Sequence, residues 1–302
     1  MATESRTLVI LALIANAIIA VIKFVAAGVS GSSAMLAEGF HSVADTGNQL
    51  FLLRGSAASR YAPNAKHPFG RGKEIYFWSF MVAVFLFVGG AVVAFLEGFD
   101  RIRHPEHGSG LVFSLVVLGL AAIFEIFIAF RPALREFNRI RSGRSVLATV
   151  RDSRDPALIV VVFEDTAAVI GLVIAATGLI LADITGWAQW DGIASIIIAL
   201  LLASVAWLLA FEMKALLIGE AATRQERSLI RGVTLAVPEV ESIGRLLTMQ
   251  LSPDDILVNM NVDLSDGLTD HQVEEVIDRI EASVRSSVPA ASRIFIKLES
   301  SE

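Results

Sequence analysis

The sequence predicts an α-helical polytopic membrane domain of six transmembrane helices, followed by a small cytoplasmic α+β domain, and three observations carry that expectation. Of the 302 residues 54% are hydrophobic and the mean hydropathy is +0.64, well beyond what the core of a water-soluble chain of this length requires. The apolar residues fall into six runs, each near the roughly 20 residues that cross a bilayer as a helix. Charged residues, 19% of the chain, are scarce before residue 218 and dense after it, which divides the chain into residues 1–218 and 219–302.

The six runs are Leu8–Val29, Ser33–Ala57, Ile75–Phe99, Leu111–Phe130, Ala157–Ile184 and Trp190–Phe211. The first contains Lys23 and lacks a small-residue cleavage pattern, so it reads as a span and not as a removed signal peptide. The second connection carries Arg54, Arg60, Lys66, Arg71 and Lys73, and the fourth carries seven arginines between Arg131 and Arg154. The first and fifth connections carry no basic residue, and the third has only Arg101 and Arg103. Positive charge stays inside, so the second and fourth connections and both termini are expected in the cytoplasm. Trp187 and Trp190 then anchor the outer interface. Short loops and no targeting peptide suggest a bacterial inner membrane.

Beyond Glu220 the pattern becomes that of an αββαβ, ferredoxin-like unit. Thr223–Val237 has helical periodicity and stops at Pro238; Arg245–Leu251 and Ile256–Leu264 alternate as strands around the turn Ser252-Pro253-Asp254-Asp255. A second helix follows over Thr269–Val288, opened by a Thr269/Gln272 capping box, and a last strand over Ser292–Leu298. The net charge of −6 gives no reason to expect nucleic acid. There is no cysteine, so any metal must be held by nitrogen and oxygen.

The chemistry concentrates in the second run, where Glu38, His41 and Asp45 stand three and then four residues apart and share one helical stripe. An ionised group in a span costs at least roughly 2.5 to 3.5 kcal/mol, so such a stripe needs a ligand, a proton or a partner. Glu38 reads three ways: a proton-carrying carboxylate, a vestibule residue, or the neutral member of a hydrogen-bonded pair. A second focus is Glu164-Asp165 in the fifth run, two carboxylates about 100° apart on the helix, of which one is the principal ligand. His41, Asp45 and Asp165 offer one nitrogen and two carboxylates, suited to Zn²⁺ and also to Mn²⁺, Fe²⁺ or Co²⁺, with Glu164 or water as a fourth ligand. Glu97 and Glu125 are either interfacial or part of a site. Gly89, Gly90 and Gly98 read as a helix-packing face, and His104 and His107 as surface residues of an outer loop. His67-Pro68-Phe69-Gly70-Arg71-Gly72-Lys73 reads as a tight basic cytoplasmic turn.

Taken together, six spans, His41-Ser42-Val43-Ala44-Asp45, the His67 to Lys73 turn, an acidic position in the fifth span and the α+β tail make the chain resemble the cation diffusion facilitator family over nearly its whole length. Glu164-Asp165-Thr166-Ala167-Ala168 further resembles its zinc transporter nine-like branch. The resemblance implies a homodimer, not an enzyme, that exports Zn²⁺ from the cytoplasm in exchange for protons by alternating access. It carries metal-ligand roles onto His41, Asp45 and Asp165, while the fourth family ligand falls on Val161, which has no donor atom. Lys73 and Glu220 are its candidates for a charged interlock at the cytoplasmic surface of the dimer. At the family's accessory sites the chain departs from the pattern: Asn64 and Arg71 stand where an acid and a histidine are implied, and the tail has only His271, so its bridging metal site is either missing or made of carboxylates such as Asp254, Asp255 and Asp263, and its dimerisation is expected through packing. A cation-binding sensor or scaffold that moves nothing is the competing reading. An intramembrane enzyme finds neither a Ser-His pair nor a His-Glu-x-x-His motif in the spans.

Overall fold

The computed structural model describes residues 2–31, 33–105, 111–141, 143, 145, 149 and 156–299, so His107, Arg144, Arg151 and Arg154 lie outside the described residues. Two compact units emerge: Met1–Ala58 with Glu74–Lys214, and Ser59–Lys73 with Ala215–Glu302.

The first unit is built from helices α1 (Ala2–Ser30), α2 (Ser33–Ser59), α3 (Glu74–Arg103), α4 (residues 111–141), α5 (Pro156–Thr185) and α6 (Gln189–Ile218). Among the described residues α3, α4, α5 and α6 are long and apolar enough to cross a membrane. Helix α2 misses that standard because buried polar side chains dilute its hydropathy: Glu38, His41, Ser42, Asp45 and Asn48. Helix α1 ends where Gly31 takes φ +68° and its N–H returns to the Ala27 carbonyl at 2.8 Å, a left-handed cap that a side chain would strain. The Arg101 guanidinium at the end of α3 donates to the Gly31 carbonyl, so the first and third connections share one end of the bundle. His104 is exposed, its Nδ1 3.1 Å from Asp100 Oδ1.

Two helices are interrupted by π-helical turns, Leu86–Val92 in α3 and Glu125–Phe130 in α4. Each inserted residue rotates the remainder of its helix relative to an ideal one, and the second turn begins at the buried Glu125. The packing face expected from Gly89, Gly90 and Gly98 divides. A Cβ on Gly98 would lie 2.7 Å from the Gly192 carbonyl and one on Gly90 3.2 Å from Leu202, so both serve the α3/α6 contact. The nearest neighbour of a Cβ on Gly89 among the described residues is Phe85 of its own helix, at 3.7 Å, so Gly89 makes no such close approach.

The second unit contains α7 (Arg224–Leu235), β1 (Val240–Ser252), β2 (Asp255–Leu264), α8 (Asp270–Ser287) and β3 (Arg293–Leu298), the helix and strand order expected from the sequence. The sheet runs β1-β2-β3, antiparallel then parallel. Alternate residues Ile256, Val258, Met260 and Val262 of β2 are fully buried with Ile230 of α7 and Val276, Ile280 and Val284 of α8. Both helices open with capping boxes, Thr223/Glu226 as well as the expected Thr269/Gln272. Strand β1 starts five residues before the expected Arg245, because register shifts at Val240/Ser242 and Ile243/Leu246 break the period-two alternation there. The basic turn is tight: Asn64 and His67 exchange backbone hydrogen bonds at 3.1 Å, and Gly70 sits at φ +74°. Phe69 packs against Phe295 and beneath the Arg293 guanidinium, and Gly72 passes so near β1 that a Cβ would lie 2.6 Å from the Leu251 carbonyl.

Arg279 Nη2 donates to Glu239 Oε1 at 2.6 Å, and that hydrogen bond holds the Glu239 carboxyl below its ordinary value of 4.5. A depressed folded-state value stabilises above the unfolded value and is lost as pH falls through the folded one. The stability difference between wild type and Glu239→Gln, followed by denaturation of the second unit, is therefore expected to be largest at neutral pH and to shrink on acidification below 4.5. A difference of constant size down to the acid limit would exclude this account.

Candidate metal centre

Helix α2 presents Glu38, His41, Asp45 and Asn48 at spacings of three, four and three, the pattern that keeps side chains on one face. All four are buried, His41 to 1% exposure and Asp45 to 6%. Helix α5 supplies the facing side. Asn48 Nδ2 donates to Glu164 Oε1 at 2.6 Å, and the Asp45 and Glu164 carboxyl groups lie within hydrogen-bonding range of each other. Two turns further along α5, a Cβ on Gly171 would stand 2.6 Å from Glu38 Oε1. Ascending numbers on α2 thus meet descending numbers on α5, so the two helices run antiparallel along a polar seam.

Within the seam His41 Nδ1 is 3.5 Å from Asp45 Oδ1, too long for a hydrogen bond. Among the described residues, both ring nitrogens of His41, Asp45 Oδ1, Asn48 Oδ1 and Asp165 Oδ2 are buried with no hydrogen-bond partner. Orphaned lone pairs of this kind are costly in an apolar medium and mark a place built for something else to bind. A nitrogen and several carboxylate oxygens, without sulfur, form a donor set for a divalent transition-metal ion. Thr46 and Thr166 do not add to it, since their hydroxyls donate to the Ser42 and Val162 carbonyls of their own helices.

Of the two acids on α5, Glu164 is the one that meets α2. Asp165, turned about 100° from it, is buried and close enough to Glu125 of α4 and to Glu164 for their charges to interact. Val161 is half-buried and brings no donor. Among the described residues no three His, Asp or Glu side chains already stand together as a metal-binding group, so His41, Asp45, Glu164 and Asp165 share a seam without yet converging.

Glu38 has a definite partner: Lys23 Nζ of α1 donates to Glu38 Oε2 at 3.0 Å, with the two side chains 5% and 0% exposed. In the sequence Lys23 stands inside an apolar run with no role attached to it; a lone lysine among carboxylates is the signal that could have found the pair. Asn48 is a second side chain of the seam that the ionisable stripe leaves out, although it continues that stripe by one more turn. Lys73 Nζ donates to the Leu217 carbonyl at 3.3 Å and lies 3.5 Å from Met249 Sδ, and its burial lowers its pKa. The Glu220 carbonyl accepts from Gln250 N–H.

Residues 9–218 match the cation efflux transmembrane domain and residues 222–301 the cation efflux protein cytoplasmic domain. The chain is 32% identical over 228 residues to metal tolerance protein C4 of Arabidopsis thaliana, covering 74% of this chain and 50% of that protein. It is 29% identical over 258 residues to the human mitochondrial proton-coupled zinc antiporter SLC30A9, covering 84% and 45%. Zinc transporter ZitB of Escherichia coli is 27% identical over 262 residues, covering 86% and 77%. The chain thus spans about half the length of the first two relatives. On matches that take in both its helical and its α/β units, the chain belongs to the cation efflux, or cation diffusion facilitator, family, whose members are transporters and not enzymes.

Proposed function

We propose that the protein exports a divalent cation, Zn²⁺ foremost, from the cytoplasm in exchange for protons, as a six-span homodimer of a bacterial inner membrane with both termini in the cytoplasm. The observation that carries this reading is the pair His41 and Asp45, one helical turn apart on α2, buried and with open lone pairs, facing Glu164 of α5. Zinc is named for two of the relatives, and proton coupling for SLC30A9. The donor set itself also suits Mn²⁺, Fe²⁺ and Co²⁺.

Exchange follows from competition for the same electron pairs. An imidazole nitrogen or a carboxylate oxygen holds a proton or a metal ion and not both at once. Arrival of the cation from the cytoplasm draws His41, Asp45 and an α5 carboxylate together; protons from the other side displace it and neutralise the ligands for the return. Glu164 engages Asp45 and Asn48, while Asp165 lies round the helix, so rotation or sliding of α5 against α2 exchanges the acid offered to the ion. Alternating access is that movement. In the cytoplasmic unit Leu247 and Phe295 are exposed, which suits dimerisation by packing, and Lys73 and Glu220 remain the proposed charged interlock.

The test is zinc uptake into vesicles reconstituted with purified protein, with and without an imposed pH gradient, and with manganese, iron and cobalt as competitors. Uptake indifferent to the gradient removes the antiport, and binding without uptake leaves a sensor. Asn48→Leu, which strips Glu164 of its amide partner, is expected to weaken apparent zinc affinity by about tenfold, the lower end of the range for groups that orient ligands. An unchanged half-saturation in the same uptake assay would mean that Asn48 does not orient the acid.

A further inference from the structure

Lys23 and Glu38 pair across α1 and α2 almost without solvent. Stability alone is a poor reason for such a pair, because an apolar pair of the same shape is commonly as stable or more so. Its surroundings point elsewhere. Glu38, Asp45, Glu125, Glu164, Asp165 and, on α6, Asp191 are six carboxyl groups buried among the helices, and Lys23 is the one buried ammonium among the described residues. Glu38 stands one turn of α2 from His41 and uses only Oε2 for the lysine; Oε1 is buried, without a hydrogen-bond partner among the described residues, against the bare backbone of Gly171. The charge of Lys23 reaches His41, Asp45 and Glu125, and that of Glu125 reaches Glu38.

Without the ammonium, Glu38 would be a dehydrated carboxylate with both oxygens open, beside a second buried acid and one turn from the proposed ligands. Those are the terms on which a divalent ion binds and stays. A transport path needs sites that release as well as hold. We propose that Lys23 is a tethered counter-ion, a positioning residue whose ammonium fills a second divalent-cation subsite at Glu38, so that the α2/α5 seam holds one divalent cation per protomer instead of two. Being covalently attached, the ammonium balances Glu38 and cannot leave with the flux. This inference rests on the proposed transport site at His41 and Asp45.

The experiment is equilibrium zinc stoichiometry on the purified full chain, read by elemental analysis, together with uptake kinetics. Lys23→Met is expected to bind one more zinc ion per protomer than wild type, with turnover lowered about tenfold and half-saturation lowered as well, the mark of a trap on the path. Lys23→Arg, which keeps a fixed positive charge, is expected to retain the wild-type stoichiometry. Lys23→Met with Glu38→Gln is expected to return to it, because the carboxylate that would hold the extra ion is gone. If Lys23→Met does not fold, Lys23→Gln keeps a donor to Glu38 without the charge and is expected to gain the same ion. A folded Lys23→Met or Lys23→Gln protein with wild-type stoichiometry overturns the inference, as does an extra ion that survives Glu38→Gln. Failure of the underlying reading looks different: wild-type zinc binding would be unaffected by His41→Ala, whatever stands at position 23.

Discussion

Asp45→Asn is expected to remove zinc transport while leaving the protein folded, dimeric and no less stable. The carboxylate and the amide have nearly the same shape, so the packing of α2 against α5 is kept. The negative charge that would balance a dehydrated divalent ion is lost, and an amide is a poor exchange for it as a ligand and as a proton carrier. Loss of a group that only orients a ligand costs 10- to 100-fold in metal affinity, so loss of a ligand is expected to cost about 100-fold or more, some 2.7 kcal/mol. The stability side has the opposite sign. Asp45 and Glu164 are two acids at hydrogen-bonding range in a buried seam, and Asp45 Oδ1 has no hydrogen-bond partner among the described residues. An amide in its place gives Glu164 a second donor and removes a like-charge contact, so the melting temperature in detergent is expected to hold or rise as transport falls. Uptake near the wild-type rate in Asp45→Asn would remove this residue from the site. A variant that is inactive because it no longer folds would assign Asp45 to structure instead.

How much of this was legible in the sequence depends on whether one element or two were involved. His41 and Asp45 could be read because spacing within a helix fixes which side chains share a face. The same rule extends to Asn48, and only its neutral side chain made it easy to miss. Which acid of Glu164-Asp165 faces α2 could not be read, because the rotation of α5 about its axis is set by packing against several neighbours. The partner of Glu38 was hidden for the same reason: Lys23 is 15 residues away, across a turn and on another helix. Glu125 stayed ambiguous because a π-helical turn runs from it to Phe130, two residues before Pro132, and the change of helical phase that goes with such a turn does not show in residue spacing. Helix α2 shows the limit of hydropathy itself, since its buried polar groups keep it below the apolar standard that α3 to α6 meet. In the tail, period-two alternation located β2 to within one residue, and it failed on the first half of β1, where bulges suspend the alternation.

Gly98→Leu is expected to disrupt the α3/α6 contact and to be among the most damaging single substitutions outside the polar seam. The two helices cross at their glycines: a Cβ on Gly98 would lie 2.7 Å from the Gly192 carbonyl and 2.8 Å from Ser195 Cβ, and one on Gly192 would lie 2.8 Å from the Gly98 carbonyl. Backbone cannot yield as the end of a flexible side chain can, so the helices must part. Parting them opens the contact one turn away, where Ala94 and Ala199 are packed together without solvent. In a bilayer no hydrophobic gain drives helices together, and close packing of this kind is a main source of their association. Overpacking costs roughly 1 to 3 kcal/mol in ordinary cores, and a backbone-to-backbone clash belongs at the upper end. Gly89→Leu supplies the comparison, because its nearest neighbour is Phe85 of the same helix at 3.7 Å and a leucine has room. It also exchanges a poor helix former for a good one, worth up to about 1 kcal/mol. Thermal unfolding in detergent is therefore expected to fall sharply for Gly98→Leu and to hold or rise for Gly89→Leu; equal effects from both would mean that the crossing is not made by glycine. In vesicles, the transport lost by Gly98→Leu is expected to match the loss of folded protein, with the turnover of the folded remainder unchanged, because the contact joins α3 to α6 and touches none of the ligands on α2 and α5.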